Sequence, residues 1–311
     1  MQKRGSVFLV LFVLFLSLGF SAFGLEVVDD AGRTVRLSAS ANRVVSLTPA
    51  NTEIVFALGA GEKLVGVTTY CDYPEEAKTK EKVGSVTEVD LESLVRLSPD
   101  LVLAGSLTPK ETIDRIAELG YPVVVLDAKS IAQVLEDIKK VAVLLGKDKE
   151  GESLVASMEE TIRSISGKVA NLPEDSRPWV FHVIWHDPLW TAGKNTFIHE
   201  FITLAGGRNV AEDLEGYVTL DLEELIRRDP DVITVVSTHG SENFPYQFLT
   251  SDPRLQVLQA VQNKKVFIVD SDIVSRPGPR VVEALRIFAS IMHPEIFPPQ
   301  GAAMGQNPPS E

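Results

Sequence analysis

Hydrophobic positions along this chain follow two rhythms, and the same order of rhythms appears twice. Short apolar, β-branched runs at residues 44–47, 63–69, 101–104 and 123–126 predict buried strands. Between them, apolar residues spaced three and four apart predict helices. One follows TPANTE, with Asn51 or Thr52 as its cap and Gly59-Ala60-Gly61 as its stop; another covers residues 109–119 and is closed by Gly120. Residues 25–37 alternate around Asp29–Gly32 and predict a hairpin. After a proline-bounded stretch at 173–178 the order restarts. A strand is predicted at 179–185, a helix at 195–204 stopped by Gly206-Gly207, strands at 232–236 and 265–269, and a helix at 279–292. Such alternation predicts α/β units with mostly parallel sheets.

The middle of the chain differs. Residues 130–145 carry a broad helical face ended by Gly146. Residues 148–170 carry only the narrow stripe Leu154, Met158, Ile162, Ile165 and Val169 among many charges. At ~1.5 Å per residue that second helix extends roughly 30 Å, about the width of a small domain. It reads as a strut between two α/β halves; the alternative is a surface helix of one domain. The organisation predicted is a first lobe at 25–145, a bridging helix within 146–172 and a second lobe at 173–297.

A sequence repeat supports the two halves. DLESLVRLSPD at 90–100 returns as DLEELIRRDPD at 221–231, with seven of eleven positions identical, and both copies lead into an apolar strand. Asp90 and Asp221 are predicted helix caps, which puts Glu92 and Glu223 in equivalent first turns. A carboxylate there complements the helix dipole. Two equivalent carboxylates, one per half, also suit the arginines of a symmetric partner. Spacing alone leaves both readings open.

Residues 1–24 read as a signal peptide. Lys3 and Arg4 precede an apolar run of ten at 7–16, too short to span a bilayer, and Ala22 and Gly24 fit a cleavage site. No cysteine follows the run, so a lipid anchor is not expected, and the mature chain is expected in the periplasm without stable membrane insertion. The formal net charge is −13, and losing the leader removes only cations. Nucleic acid and anionic membrane surfaces are thereby excluded as partners. Cys71 is the only cysteine. It cannot pair within the chain, and it reads as a small buried side chain. Residues 298–311 read as a disordered tail.

Candidate chemistry lies in two segments that follow strands, TYCDYP at 69–74 and WHDPLWTAG at 185–193. Both read as loops at strand ends, where α/β sheets form their crevices. Tyr70, Trp185, Trp190 and Tyr217 are candidates for an aromatic cleft that takes a large planar ligand. Trp179 and Tyr73 read as packed in the core. His182 reads as packed and His186, beside Asp187, as a ligand contact. Arg276 and Arg280 flank Pro277-Gly278-Pro279 and read either as anchors for an anionic ligand group or as a solvated helix start. No metal-ligand spacing and none of the common catalytic motifs is present. The chain therefore reads as a monomeric binding protein rather than an enzyme, without a cofactor of its own.

Four segments in order carry a family resemblance: RVVSLTPANTEIVFALGAGEKLVGVTTYCDYP, DLESLVRLSPDLVLA, PLWTAGKNTFIHEFITLAGGRNVA and RPGPRVVEALRIFASIMHPE. Together they resemble the helical-backbone periplasmic binding proteins that serve ABC importers of cobalamin, ferric siderophores and haem. The resemblance covers about residues 42–297. It implies two Rossmann-like lobes joined by a single long α-helix, little hinge motion, a ligand cleft between the lobes and a permease dimer as partner. It assigns Glu92 and Glu223 to docking on permease arginines. It places Tyr70 and Tyr217 at aromatic ligand contacts, Tyr217 standing where a tryptophan is usual, and a further cleft aromatic near Trp185. The family's tryptophan in the first-half loop has no counterpart in GSVTEV at 84–89. The ligand implied is a metal chelate, cobalamin or a related corrinoid, with a ferric siderophore or haem as the alternative. An enzyme that processes such chelates on the same scaffold is the remaining class.

Overall fold

The structure is a computed structural model in which residues 24–237 and 243–299 are described. The expected signal peptide and tail lie outside those residues, apart from Gly24 and the prolines at 298 and 299. The chain opens with an antiparallel hairpin, β1 (Leu25–Val28) and β2 (Thr34–Leu37), as expected. The first lobe continues with β3 (Val44–Ser46), α1 (Pro49–Ala57), β4 (Leu64–Val67), α2 (Leu91–Leu97), β5 (Leu101–Gly105), α3 (Lys110–Glu118), β6 (Val123–Leu126) and α4 (Ile131–Leu145). Helix α5 (Asp148–Val169) follows. The second lobe holds β7 (Trp179–Val183), β8 (Trp185–His186), β9 (Leu189–Ala192), α6 (Phe197–Leu204), β10 (Arg208–Asn209), β11 (Tyr217–Thr219), α7 (Leu222–Arg228) and β12 (Val232–Val236). After it come α8 (Phe244–Ser251), α9 (Gln259–Gln262), β13 (Val266–Val269), α10 (Ser271–Ser275) and α11 (Val281–Met292).

Both lobes are built on one topology. The sheets run β4-β3-β5-β6 and β10-β7-β12-β13, every pairing parallel. In each, the first strand of the sheet, β3 or β7, lies inside and the second, β4 or β10, at the edge. The direction of winding therefore reverses beside the first strand, the place where such sheets open a crevice at their carboxyl ends.

The 22-residue α5 joins the sheets and packs on α4 of the first lobe and on α6 and α11 of the second. Its buried stripe holds Met158, Ile165 and Val169 of the predicted one together with Val155, while Leu154 and Ile162 are partly buried beside it. Gly151 is there because a Cβ would stand 2.5 Å from Ala142 Cβ, so the helices approach closely only without one. One apolar core runs from Val44 and Ile54 through Val155, Met158 and Ile165 to Phe201 and Phe288. Each lobe has a second core on the far side of its sheet, around Leu94 and Ile116 in the first and Phe181 and Leu225 in the second.

The repeated unit is α2 into β5 and α7 into β12. Leu94 and Leu225 are its fully buried anchors. Each helix ends on a left-handed residue, Ser98 at φ 46° and Asp229 at φ 40°. Each Pro-Asp turn then clamps the start of the lobe's first strand. Asp100 accepts from the amides of Asn42 and Arg43 at 2.9–3.1 Å, and Asp231 accepts from the Trp179 amide at 2.7 Å. The caps differ: Asp90 accepts from the Ser93 amide at 3.1 Å, whereas Asp221 holds the cap position without a side-chain bond.

Two local expectations are corrected. Helix α1 begins at Pro49, capped by the hydroxyl of Thr48 on the Asn51 amide at 3.3 Å, so Asn51 and Thr52 are buried inside the helix. Proline at the first helical position lacks the amide that would go unpaired there. The WHDPLWTAG segment is not a loop. It doubles back at Asp187-Pro188 into β8 and β9, joined by β11 in a three-stranded antiparallel sheet.

Candidate functional site

That small sheet gives the second lobe an aromatic face. Trp185 lies directly opposite Trp190, Trp190 opposite Thr219, and Ala192 opposite Tyr217. Side chains alternate along a strand, so Trp190 and Ala192 share a face with Trp185, Tyr217 and Thr219. The three aromatics are 42–56% exposed, while Leu189 and Thr191 on the other face are buried. The Trp185 indole is steadied by donating to the Asp187 carbonyl at 3.0 Å. Surrounding protein raises the Tyr217 phenol above its ordinary value, so it stays neutral.

In the first lobe the segment after β4 lies at the strand carboxyl ends and reaches the second lobe at Arg276 and Arg280. Tyr70 is 62% exposed, and its hydroxyl has no hydrogen bond among the described residues. Tyr73 is corrected from core to surface. It is 49% exposed and lies under the Arg280 guanidinium, 4.3 Å from the ring centroid, because Arg280 reaches across from the other lobe. Leu107, just beyond β5, and Phe244, at the start of α8, are also exposed at strand carboxyl ends. Among the described residues, seven of the eleven exposed large apolar side chains lie there, at the strand carboxyl ends. Nothing in the sequence marked Leu107 or Phe244 except their places just after buried strands.

His186 and Arg276 are placed differently from expectation. His186 pairs with buried Leu189 on the opposite strand face and packs against Phe248 of α8, ring centroids 5.5 Å apart. Arg276 is engaged by its own chain. Its guanidinium binds Glu53 at 3.1 Å, Asp72 at 2.8 Å and Asp272 at 2.7 Å. Arg280 grips the same Glu53 with two nitrogens at 2.7 and 2.8 Å. Glu53 comes from α1 and Asp72 from the loop after β4, so this cluster is a seam between the lobes. Beside it, Gly278 packs against Ala50. Burial would raise the Asp72 carboxyl, but the hydrogen bond and charge of Arg276 outweigh it and hold Asp72 below the usual carboxylate range. Burial likewise opposes the charge on both arginines and is outweighed by their carboxylates. The sequence did carry a hint of Glu53, the one charged residue in its helix.

Glu92 and Glu223 are both exposed, and neither has a hydrogen bond or ion pair among the described residues. Their neighbour Glu224 is gripped by Arg227 and Arg228, which depress its carboxyl to about 2. Of the other identical acids of the repeat, Asp100 and Asp231 clamp strands and Asp90 caps its helix, while Asp221 makes no side-chain bond among the described residues. Only the two glutamates keep their charge free at the same place in each lobe.

Other polar groups are structural. His182 is fully buried, bonded to the Thr234 hydroxyl at 2.9 Å and pushed down to about 3 by burial, so it is neutral. Cys71 is buried within 3.2 Å of the Thr52 and Thr68 hydroxyls. A cavity of 610 Å³ lies between α5 and α11, lined by Ile165, Lys168, Arg286 and Phe297, away from the strand carboxyl ends and without a stack of exposed rings. Among the described residues no group of three or more His, Cys, Asp or Glu is placed to hold a metal ion, and no helix is long and apolar enough to cross a membrane.

Known proteins resemble this chain over most of its length. The model of the periplasmic binding protein family matches residues 44–273. Over 280 residues the chain is 34% identical to an uncharacterized ABC transporter substrate-binding lipoprotein of Bacillus subtilis, covering 88% of this chain and 87% of that one. Over 248 residues it is 30% identical to the vitamin B12-binding protein of Yersinia pestis, covering 79% and 84%. Among solved structures, a periplasmic heme-binding protein from a Roseiflexus species superposes with a TM-score of 0.73 at 29% identity, over 83% of this chain and 100% of that one.

Proposed function

The chain belongs to the periplasmic binding protein family, and on that premise we propose that its crevice carries a planar metal chelate, cobalamin or a related corrinoid, to a permease dimer. At the coarser level it is a substrate-binding protein of the ABC-transporter type, with relatives named for vitamin B12 and heme. The observation that carries the ligand reading is the exposed row Trp185, Trp190 and Tyr217 on one strand face, with Tyr70 exposed after a strand end of the first lobe. Rings held on strands lose little freedom when a flat macrocycle covers them, and each removes a large apolar area from water. Binding without reaction is all this site needs to do. Glu92 and Glu223 are the docking points, one per lobe, for arginines of the permease dimer. Export to the periplasm is part of this reading.

The test is a titration followed by tryptophan fluorescence. Cyanocobalamin is expected to quench it to saturation at one equivalent. Haemin serves as the second ligand, because the unpartnered Tyr70 hydroxyl is a candidate axial ligand for iron. Saturation by haemin alone moves the reading to haem, and by a ferric catecholate alone to a siderophore.

A further inference from the structure

The seam beside the aromatic crevice bears on which chelates enter, an inference that rests on the ligand reading above. Five charged groups meet there: Glu53, Asp72 and Asp272 against Arg276 and Arg280. Two free arginines at this point would make a strong carboxylate site, since guanidinium and carboxylate match fork to fork. Neither is free. The fork of Arg280 is filled by Glu53, and Arg276 is divided among Glu53, Asp72 and Asp272. Glu53 is 2% exposed and the arginines 12–13%, so an incoming anion would have to break a buried pair to reach either one.

What the seam leaves open is Asp72. Its side chain is 47% exposed, and it lies between Tyr70 and Tyr73, both exposed. It is ionised and can only accept hydrogen bonds. Lys78, close enough to interact with Asp72, is itself paired with Glu75 at 2.7 Å. Lys82 is turned to the carbonyls of Cys71 and Ala77.

We propose that Asp72 is a specificity-determining residue: it admits chelates whose rim carries amide or cationic donors and disfavours those whose rim carries free carboxylates. A primary amide donates N–H to Asp72, whereas a carboxylate in the same place meets a like charge with no free arginine to offset it.

The test compares cyanocobalamin with its monocarboxylic acids, in which one propionamide is hydrolysed, at pH 7.5 by fluorescence titration. Wild type is expected to bind the parent about tenfold more tightly than the acids, the size of one like-charge contact in a partly solvated site. Asp72→Asn should narrow the ratio to about threefold or less by improving the acids, and Asp72→Glu should restore it. Added salt should narrow the ratio in wild type only, a dependence that a loosened seam would not produce. An unchanged ratio in Asp72→Asn overturns the inference and leaves the corrinoid reading standing. If wild type binds neither corrinoid, the corrinoid reading falls. The same comparison is then made between haemin and its dimethyl ester, where wild type should prefer the ester and Asp72→Asn should not. Absence of any binding there overturns the inference as well.

Discussion

The two lobes have the same strand order, the same repeated helix and turn, and the same aspartate clamp on the first strand. They differ in what they add at the carboxyl ends. The first lobe offers Tyr70 and Tyr73 on a loop. The second turns the segment after β7 back on itself and mounts Trp185, Trp190 and Tyr217 on a small antiparallel sheet. Duplicated parts with internal partners set the frame, and parts found in one lobe only shape the proposed ligand wall. The glutamates are the exception that informs: duplicated, yet without an internal partner in either lobe. A feature kept in both halves for no internal reason suits a partner with two equivalent halves of its own.

The strongest way to break this comparison is to reverse both glutamates. Glu92→Arg with Glu223→Arg should reduce ligand uptake in cells to below about a tenth while leaving affinity within about twofold, because each change adds repulsion at an exposed contact. The two single variants should fall between and resemble each other. A single variant as severe as the double would mean that one lobe docks alone.

Next in size is the ligand wall. Trp190, central in its row, should matter more than Tyr70. Trp190→Ala is expected to weaken binding about 10–100-fold, as for a central aromatic anchor, and Tyr70→Ala by about 3–10-fold. Equal losses, measured by calorimetric titration, would remove the contrast between a rigid wall and a loop.

A smaller effect separates the lobes by pH. In the first lobe, burial pushes the Asp137 carboxyl up to about 7; Lys140 opposes the shift, and the charge of Asp30 adds to it. Its folded pKa lies above the unfolded value of 3.8, so the folded form gains from the proton, and that gain is lost as pH rises toward 7. In the second lobe, burial holds His182 near 3 against an ordinary 6.5, so its contribution is lost as pH falls through that window. Asp137→Asn should remove the first trend only. Relative to wild type, its melting temperature should gain roughly 2–4 °C at pH 7 and nothing at pH 4. Parallel curves for the two proteins would count against the protonated Asp137.

The smallest contrast is in the caps. Asp90→Ala, which removes a bond to the Ser93 amide, should lower the melting temperature by about 1–3 °C. Asp221→Ala should lower it less, because Asp221 makes no such bond.

The parts legible in the sequence are those set by local period and repetition. The strands, the α5 stripe and the paired glutamates follow from residues within a few turns of each other. The antiparallel sheet escaped because β8 and β11 are two and three residues long, too short for alternation to register. The α1 cap was misread by passing over Thr48 in favour of Asn51, although Pro49 marks the helix start. Arg276 was read as open to ligand because its partners Glu53 and Asp72 lie more than two hundred positions away along the chain. No window on the sequence contains that contact. Tyr73 was misplaced for the same reason, since the cation above it comes from the other lobe.

The core that passes through α5 has a thermodynamic consequence. Val44 and Phe288 belong to one continuous apolar cluster, so neither lobe can lose its packing without exposing surface in the other. The two halves form a single cooperative unit rather than a pair of independently folding bodies. In an exported protein, where no chaperone supplied with nucleotide stands by, such a chain offers proteases no half-open form in which one lobe has come apart while the other holds.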